Sequence, residues 1–355
     1  MRQLLFRKHV LTSLGIAACL LAFSPLPAHA QDIWKVEGKL HGKIKYGDVK
    51  KSEDISGIAC DRSSGFPRLC LVVDDETQGA QIVILNDGEL TAGKFIRLTK
   101  AQFDGESVEL DAEGVAYDGG SFYVVGSHGR ARHKDEDPGK DTESNAKAQV
   151  TRQIFRITLD ASDVDMKTGE LVDQPNIKRS RDLANALERQ PDLSSSFDRP
   201  LKKNGMTIEG IAIRNGRLYV GMRGPVLGSD AVVASLPLAA VFDGDQTSPV
   251  LHRLALGRDS LGDPRGVRDI TRYADGFLIL AGPQHDPPKG HDIDPADYSI
   301  YAWDGANQLK FKDHVPSFGK KVKPEALLPL DDDARRVLLL FDGPKEGAPR
   351  AIKLN

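Results

Sequence analysis

The stretch Glu113-Gly114-Val115-Ala116-Tyr117-Asp118-Gly119-Gly120-Ser121-Phe122-Tyr123-Val124-Val125 decides the fold. An acid and a glycine open a short apolar run. An Asp-Gly-Gly turn follows, then a second run rich in β-branched and aromatic residues, which together read as a β-hairpin. The opening recurs as Ser56-Gly57-Ile58-Ala59, Glu209-Gly210-Ile211-Ala212, Asp269-Ile270-Thr271 and Glu325-Ala326-Leu327-Leu328. Each copy leads through a turn into an apolar run: Arg68 to Val73, Arg217 to Val220, Gly276 to Leu280 and Arg336 to Leu340.

The repeat of about 57 residues is broken only by a wide interval between Glu113 and Glu209. Further strands follow in each unit, such as Gln81 to Leu85, Ala231 to Leu236 and Ser299 to Trp303. Four strands per unit at that period predict an all-β chain folded as a β-propeller of five four-stranded blades. The wide interval leaves six as the alternative. A β-sandwich would not explain the recurring start. The last unit offers three strands, ending in Arg350 to Leu354, and Ile33 to Gly38 is a spare strand. The ring is therefore expected to close through its N-terminal strand. The wide interval holds a charged segment, Ala131 to Ala148, expected as a mobile loop. It also holds Arg181 to Gln190, whose Leu183, Ala184 and Leu187 have the spacing of a short surface helix.

Residues 1–30 read as a signal peptide: Arg2, Arg7 and Lys8, an apolar run from Val10 to Phe23, then Ala28-His29-Ala30 as the cleavage site. Ile16-Ala17-Ala18-Cys19 is the rival, a lipoprotein box. Residues 31–355 are then one periplasmic or secreted domain with no membrane span. The 34 glycines and 20 prolines among 355 residues suit its many turns. Losing three basic residues with the leader takes the net charge from −3 to −6, which excludes a dominant nucleic-acid-binding role. Cys60 and Cys70 lie on adjacent strands of one hairpin, where an exported chain permits a disulfide; two buried thiols are the alternative.

In an antiparallel hairpin the start of the first strand lies beside the end of the second. The acids that open the units and the residues that end the next strands therefore meet at one mouth of the ring. That mouth should carry Asp54, Asp111, Glu113, His128, Arg130, Glu209, Arg223, Arg265, Arg268, Asp269, His285, Glu325 and Asp342. His128 and Glu113 are the candidates for proton transfer. Arg130, Glu209, Arg223, Arg268, Asp269, His285, Glu325 and Asp342 are the candidate ligand contacts. Arginine suits a carboxylate or phosphate. The competing role for the acids is to accept hydrogen bonds from neighbouring blades. No nucleophile elbow, phosphate loop or zinc-binding motif is present. Ca²⁺ in an acidic mouth is possible on ligand chemistry, without assigned ligands.

The segments Glu113 to Ala116 with Val125 to His128, Glu209 to Ala212 with Gly221 to Pro225, and Arg265 to Asp269 with Leu280 to Pro283 resemble the bacterial domain of unknown function 3616 (DUF3616). More distantly, the acid-Gly-[Ile/Val]-Ala start resembles the "esterase-like activity of phytase" propellers. The first resemblance implies a propeller without an established activity. The second implies hydrolysis of phosphate or carboxyl esters. Ser56 departs from the pattern, standing where other units carry an acid. Three functions are open: an exported propeller gripping a small anionic or sugar-like ligand, a metal-assisted hydrolase of phosphate or other esters, and a protein-interaction platform without chemistry.

Overall fold

Five inner strands, Ile55–Cys60, Ala112–Asp118, Thr207–Arg214, Arg265–Tyr273 and Lys323–Pro329, stand around a common axis in the computed structural model. The structure describes residues 32–130, 142–288 and 291–355. Each inner strand is the first of an antiparallel four-stranded blade, and the inner strand of the fifth blade packs against that of the first. Residues 31–355 form one compact unit. The chain is a five-bladed β-propeller. No helix among the described residues is long and apolar enough to cross a membrane. The expected leader, residues 1–30, lies outside the described residues.

The period-two alternation of each strand serves two neighbours at once. In the second strand of blade 1, Arg68–Asp74, the side chains of Leu69, Leu71 and Val73 join a core shared with Phe122, Val124 and Phe155 of blade 2. Cys70 and Val72 join a core shared with Leu338 and Leu340 of blade 5. Five such cores lie between successive blades. This explains why the strands nearest the axis read as continuous apolar runs: both of their faces pack against neighbouring blades. Cys60 and Cys70 are paired opposite one another in blade 1 and joined by a disulfide.

Ring closure differs in detail from the sequence expectation. Only Asp32–Ile33 pairs with Arg350–Lys353 to complete blade 5. The chain then crosses to blade 1, where Lys35–Glu37 runs parallel to the outer strand Glu89–Arg97 as a fifth strand. Trp34, between the two pairings, is 3% exposed. A single N-terminal segment thus ties the last blade to the first.

The wide second interval holds helices and not a sixth blade. Helix α1, Thr142–Thr151, lies between the second and third strands of blade 2, where the sequence reading placed the end of a loop. The rest of that loop expectation, 131–141, lies outside the described residues. Helix α2, Asp182–Glu188, follows the outer strand of blade 2; its Leu183 and Leu187 are buried in the core between blades 2 and 3.

Candidate functional site

The first two strands of every blade share one irregularity. Their register slips by one residue at Ser56, Glu113, Glu209, Arg268 and Glu325. A β-bulge leaves its extra residue outside the ladder and turns its side chain away from the face that alternation would dictate. Repeated five times, it presents one side chain per blade at the same level of the ring. The residue after the bulge packs against the next inner strand. A Cβ on Gly114 would lie 2.9 Å from Gly210 Cα, and one on Gly210 would lie 2.6 Å from Ile270 N. The glycine of the acid-Gly start is therefore required by close approach of the backbones.

This register corrects the alignment of the fourth unit. The counterpart of the acids is Arg268, not Asp269. Asp269 accepts hydrogen bonds at 2.7 Å from Ile270 N of its own strand on Oδ1 and from Leu327 N of blade 5 on Oδ2, so the second ties two inner strands together. It clamps blade 4 to blade 5.

Around blades 3 to 5 the polar layer is paired. Arg268 is 2% exposed; its Nε donates to Glu325 Oε2 at 2.8 Å and its Nη2 to Glu325 Oε1. The same Nη2 lies 3.4 Å from Glu209 Oε2. Arg223 donates to Gln284 O at 2.8 Å, lies 3.5 Å from Glu209 Oε1, and reaches Asp286 at 2.8 Å. Lys323 lies 2.6 Å from Asp342. Burial pushes Glu325 up to about 7 against the pull of Arg268. The arginines are neutralised by the protein's own acids, so neither presents a free charge to an anion.

Around blades 1 and 2 the layer is acidic. Asp75, Asp111 and Glu113 each place a carboxylate oxygen within 4.8 Å of the others. Asp54 and Asp74 adjoin them. Ser52 and Glu76 N donate to Asp74, and Ser127 donates to Asp111. Burial, with repulsion from neighbouring acids, raises Asp54 and Asp74 to about 7. It raises Asp75 and Glu113 well above the usual carboxylate range, and repulsion among carboxylates adds to both.

Asp54, Asp75, Asp111, Lys323 and Asp342 line a cavity of about 580 Å³ at this mouth. The hairpin His41–Lys45 with Asp48–Lys51 forms one wall, contributing His41, Lys43, Ile44 and Val49. Phe95 and Arg97 form another; the His41 and Phe95 rings stack at 5.3 Å. Lys43 pairs with Glu76 at 2.6 Å, and Arg97 donates to Gln78 at 2.9 Å. Sequence reasoning missed Asp74, Asp75, Lys323 and the whole hairpin wall. The rule that found Arg223 and Asp342 at the ends of second strands applies to blade 1 as well, and there it names Asp74 and Asp75. Nothing in the sequence marked the hairpin as a wall, because its placement is purely tertiary.

Several expected contacts lie elsewhere. His128 is fully buried with φ of 57°; its Nδ1 lies 2.9 Å from Gly126 O, and Nε2 has no partner. Burial lowers its pKa to about 4, and the charges acting on it are those of Arg152 and Arg181, not of the axial carboxylates. The structure does not join it to Glu113 as an acid-base pair. Arg130 is buried and lies 4.0 Å from Asp198. His285 lines a separate recess of about 20 Å³ with Asp259 and His291. Arg265 donates to the carbonyls of Leu256, Ala296 and Asp297, a structural role. At the opposite mouth the inner-strand ends surround a second cavity of about 440 Å³, lined by Arg62, Tyr117, Arg272 and Asp331 among others.

Residues 48–347 match the model of DUF3616, described as a protein of unknown function. The chain belongs to that family. No curated protein matches it. Among solved structures it is similar to the nidogen/laminin complex, at 13% identity and a TM-score of 0.37, covering 85% of this chain and 82% of that one. An exo-β-1,3-galactanase from Phanerochaete chrysosporium gives 11% and 0.43, covering 91% and 63%. Trypanosoma rangeli sialidase gives 11% and 0.44, covering 93% and 59%. The chain spans less than two thirds of the galactanase and sialidase chains. These likenesses are loose, and no residue or activity is carried over from them.

Proposed function

We propose that this DUF3616 propeller is a small-molecule-binding protein whose ligand enters the cavity between the ring axis and the His41–Lys51 hairpin, and that the ligand is hydroxylated and sugar-like. One observation carries the reading. Six carboxylates line the cavity, Asp54, Asp75, Glu76, Glu109, Asp111 and Asp342, against Lys43, Arg97 and Lys323, each held by a partner. A bare anion would have to compete with the protein's own acceptors for each of those cations. Hydroxyl groups would instead donate to the carboxylates, while Phe95 offers an apolar ring face to the ligand's C–H groups. Binding is favoured over ester hydrolysis by His128 and Glu113 because those two groups do not meet. We place this activity after export, a reading that the Cys60–Cys70 disulfide suits.

The test is a thermal-unfolding screen of residues 31–355 against neutral sugars, polyols, phosphates and carboxylic acids. A ligand at a hundred times its Kd stabilises by about 2.7 kcal/mol. Stabilisation by a neutral hydroxylated compound, reduced at least tenfold in affinity by Phe95→Ala, is the expected result. Stabilisation by phosphates or carboxylates alone, or binding indifferent to Phe95→Ala, overturns the reading.

A further inference from the structure

We infer that the hairpin His41–Lys45 with Asp48–Lys51 docks on the surface of an anionic phospholipid bilayer, Tyr46 sitting among the headgroups and the lysines on their phosphates. The inference stands apart from the ligand reading. The cavity wall ends at Ile44 and Val49, and the residues that carry the docking, Lys45 and Tyr46, lie beyond it.

Tyr46 is 94% exposed, more than any other large hydrophobic residue among the described residues, and Ile44 is 56% exposed. The pairing of Lys45 with Asp48 leaves Tyr46 and Gly47 as the two turn residues, with φ of 55° and 81°. Such a turn favours Asn-Gly, because a positive φ crowds a bulky side chain. Blade 3 uses that ordinary solution: Asn215-Gly216 stands between the paired Arg214 and Arg217, with φ of 51° and 68°. At Tyr46 the chain instead holds an aromatic ring in water, in a backbone conformation that disfavours it. So exposed a ring has almost nothing to pack on within the fold. An apolar partner outside the fold accounts for the choice.

The same element concentrates positive charge. Residues 39–51 hold five lysines against Asp48 alone, in a domain whose net charge is −6. Lys43 pairs with Glu76 at 2.6 Å, Lys51 with Glu346 at 2.8 Å and Lys50 with Asp48 at 3.4 Å. Such exposed pairs are weak and exchange readily for other anions. Lys39 and Lys45 meet no carboxylate among the described residues; Lys39 donates to Val49 O at 2.7 Å, and Lys45 stands 6.0 Å from the centre of the Tyr46 ring. The base of the hairpin is fixed: Gln81 accepts from His41 N at 2.8 Å and donates to Lys39 O at 3.0 Å, and the His41 ring stacks on Phe95. The run from Lys43 to Asp48 is exposed throughout.

Charge and ring together choose the partner. A stable protein interface needs about 800 Å² from each side, more than a hairpin tip offers. A soluble polyanion would answer the lysines and leave Tyr46 and Ile44 in water. A bilayer surface asks for no shape: its anionic headgroups attract lysine, and tyrosine suits the boundary between headgroups and acyl chains.

The experiment sediments residues 31–355 with vesicles of phosphatidylcholine, alone or with about 30% phosphatidylglycerol, in about 50 mM and about 500 mM NaCl. The wild type should pellet with the anionic vesicles at low salt, at least about tenfold more than with phosphatidylcholine, and be released at high salt. Lys45→Glu should lower the partition at least about tenfold, since each charge near an anionic surface is worth about fivefold. Tyr46→Asn should lower it at least about threefold while melting at or above the wild-type temperature, because asparagine suits the turn. Weaker binding with undiminished stability is a result that a purely structural tyrosine would not give. Equal pelleting with both vesicles, none with either, or binding indifferent to both substitutions overturns the inference. Retention on heparin without vesicle binding also overturns it and assigns the hairpin to a soluble polyanion. A sugar response without vesicle binding would sink this inference and leave the ligand reading intact; vesicle binding without a sugar response would do the reverse.

Discussion

At the scale of the residue, one side of the mouth is held by matched buried charge. Arg268 sits between Glu325 and Glu209 with almost no water. Truncating one partner of such a group leaves a buried charge unanswered, at a cost of about 3–5 kcal/mol. Arg268→Met should therefore lower the stability of residues 31–355 by that order in urea unfolding, and adding Glu325→Gln should recover part of it. A double mutant no more stable than the single would show that the pair is not energetically joined. His128 makes a different prediction. Its folded pKa of about 4 lies below its ordinary 6.5, so the unfolded chain takes the proton first. Its contribution is complete above pH 6.5 and is lost as the pH falls toward 4, about 3 kcal/mol in all. Glu325, raised to about 7, acts in the opposite sense, since acid favours its folded state. The His128 share is isolated by comparing wild type with His128→Asn from pH 7 to 4. The two stability curves should converge on acidification, and parallel curves would refute the assignment.

At the scale of the element, the recurring unit is a hairpin with a bulge at a fixed place. The bulge explains why an acid and a glycine travel together. The first residue leaves the ladder and faces the axis; the second must let the neighbouring inner strand approach. Blade 5 carries Ala326 at the second position, so a methyl group is tolerated where the spacing allows it. Gly210 has no such room, since a methyl carbon there would sit 2.6 Å from Ile270 N. Gly210→Ala should cost about 1–3 kcal/mol through overpacking, seen as a lower urea midpoint. A neutral substitution would mean that the inner strands can move apart freely. The bulge also shows why Asp269 misled the sequence reading. It has the charge of the other acids but stands one residue beyond the bulge, and this offset turns an axial side chain into a clamp between blades.

At the scale of the whole molecule, five blades close on a short latch. Two residues complete blade 5, Trp34 fills a core, and Lys35–Glu37 edges blade 1. Loss of a buried tryptophan alone costs about 3–5 kcal/mol. A chain beginning at Leu40 should therefore melt well below residues 31–355, and Trp34→Ala should account for much of the difference. Equal melting temperatures would show that the ring holds without its latch. The molecule also sorts its charge by sector. Blades 3 to 5 bring the cations Arg223, Arg268 and Lys323 with their acids, whereas blades 1 and 2 bring Asp74, Asp75, Asp111 and Glu113.

The amino-acid pattern by itself determined the repeat, the four-stranded unit, the common mouth and the placing of Cys60 and Cys70 on adjacent strands; their bond is a finding of the structure. These follow from local periodicity and from the geometry of one hairpin, which every unit obeys. It also placed Glu113, Glu209, Arg268 and Glu325 at the same end of the ring. Only the tertiary structure decided their roles. Whether Arg268 meets a ligand or Glu325, whether Glu113 finds a partner, and whether His128 faces the axis depend on residues from other blades. Neighbouring inner strands are brought together by ring closure, and their relative register is set by bulges of one residue. Such offsets leave the sequence periodicity almost unchanged and redirect every side chain that follows.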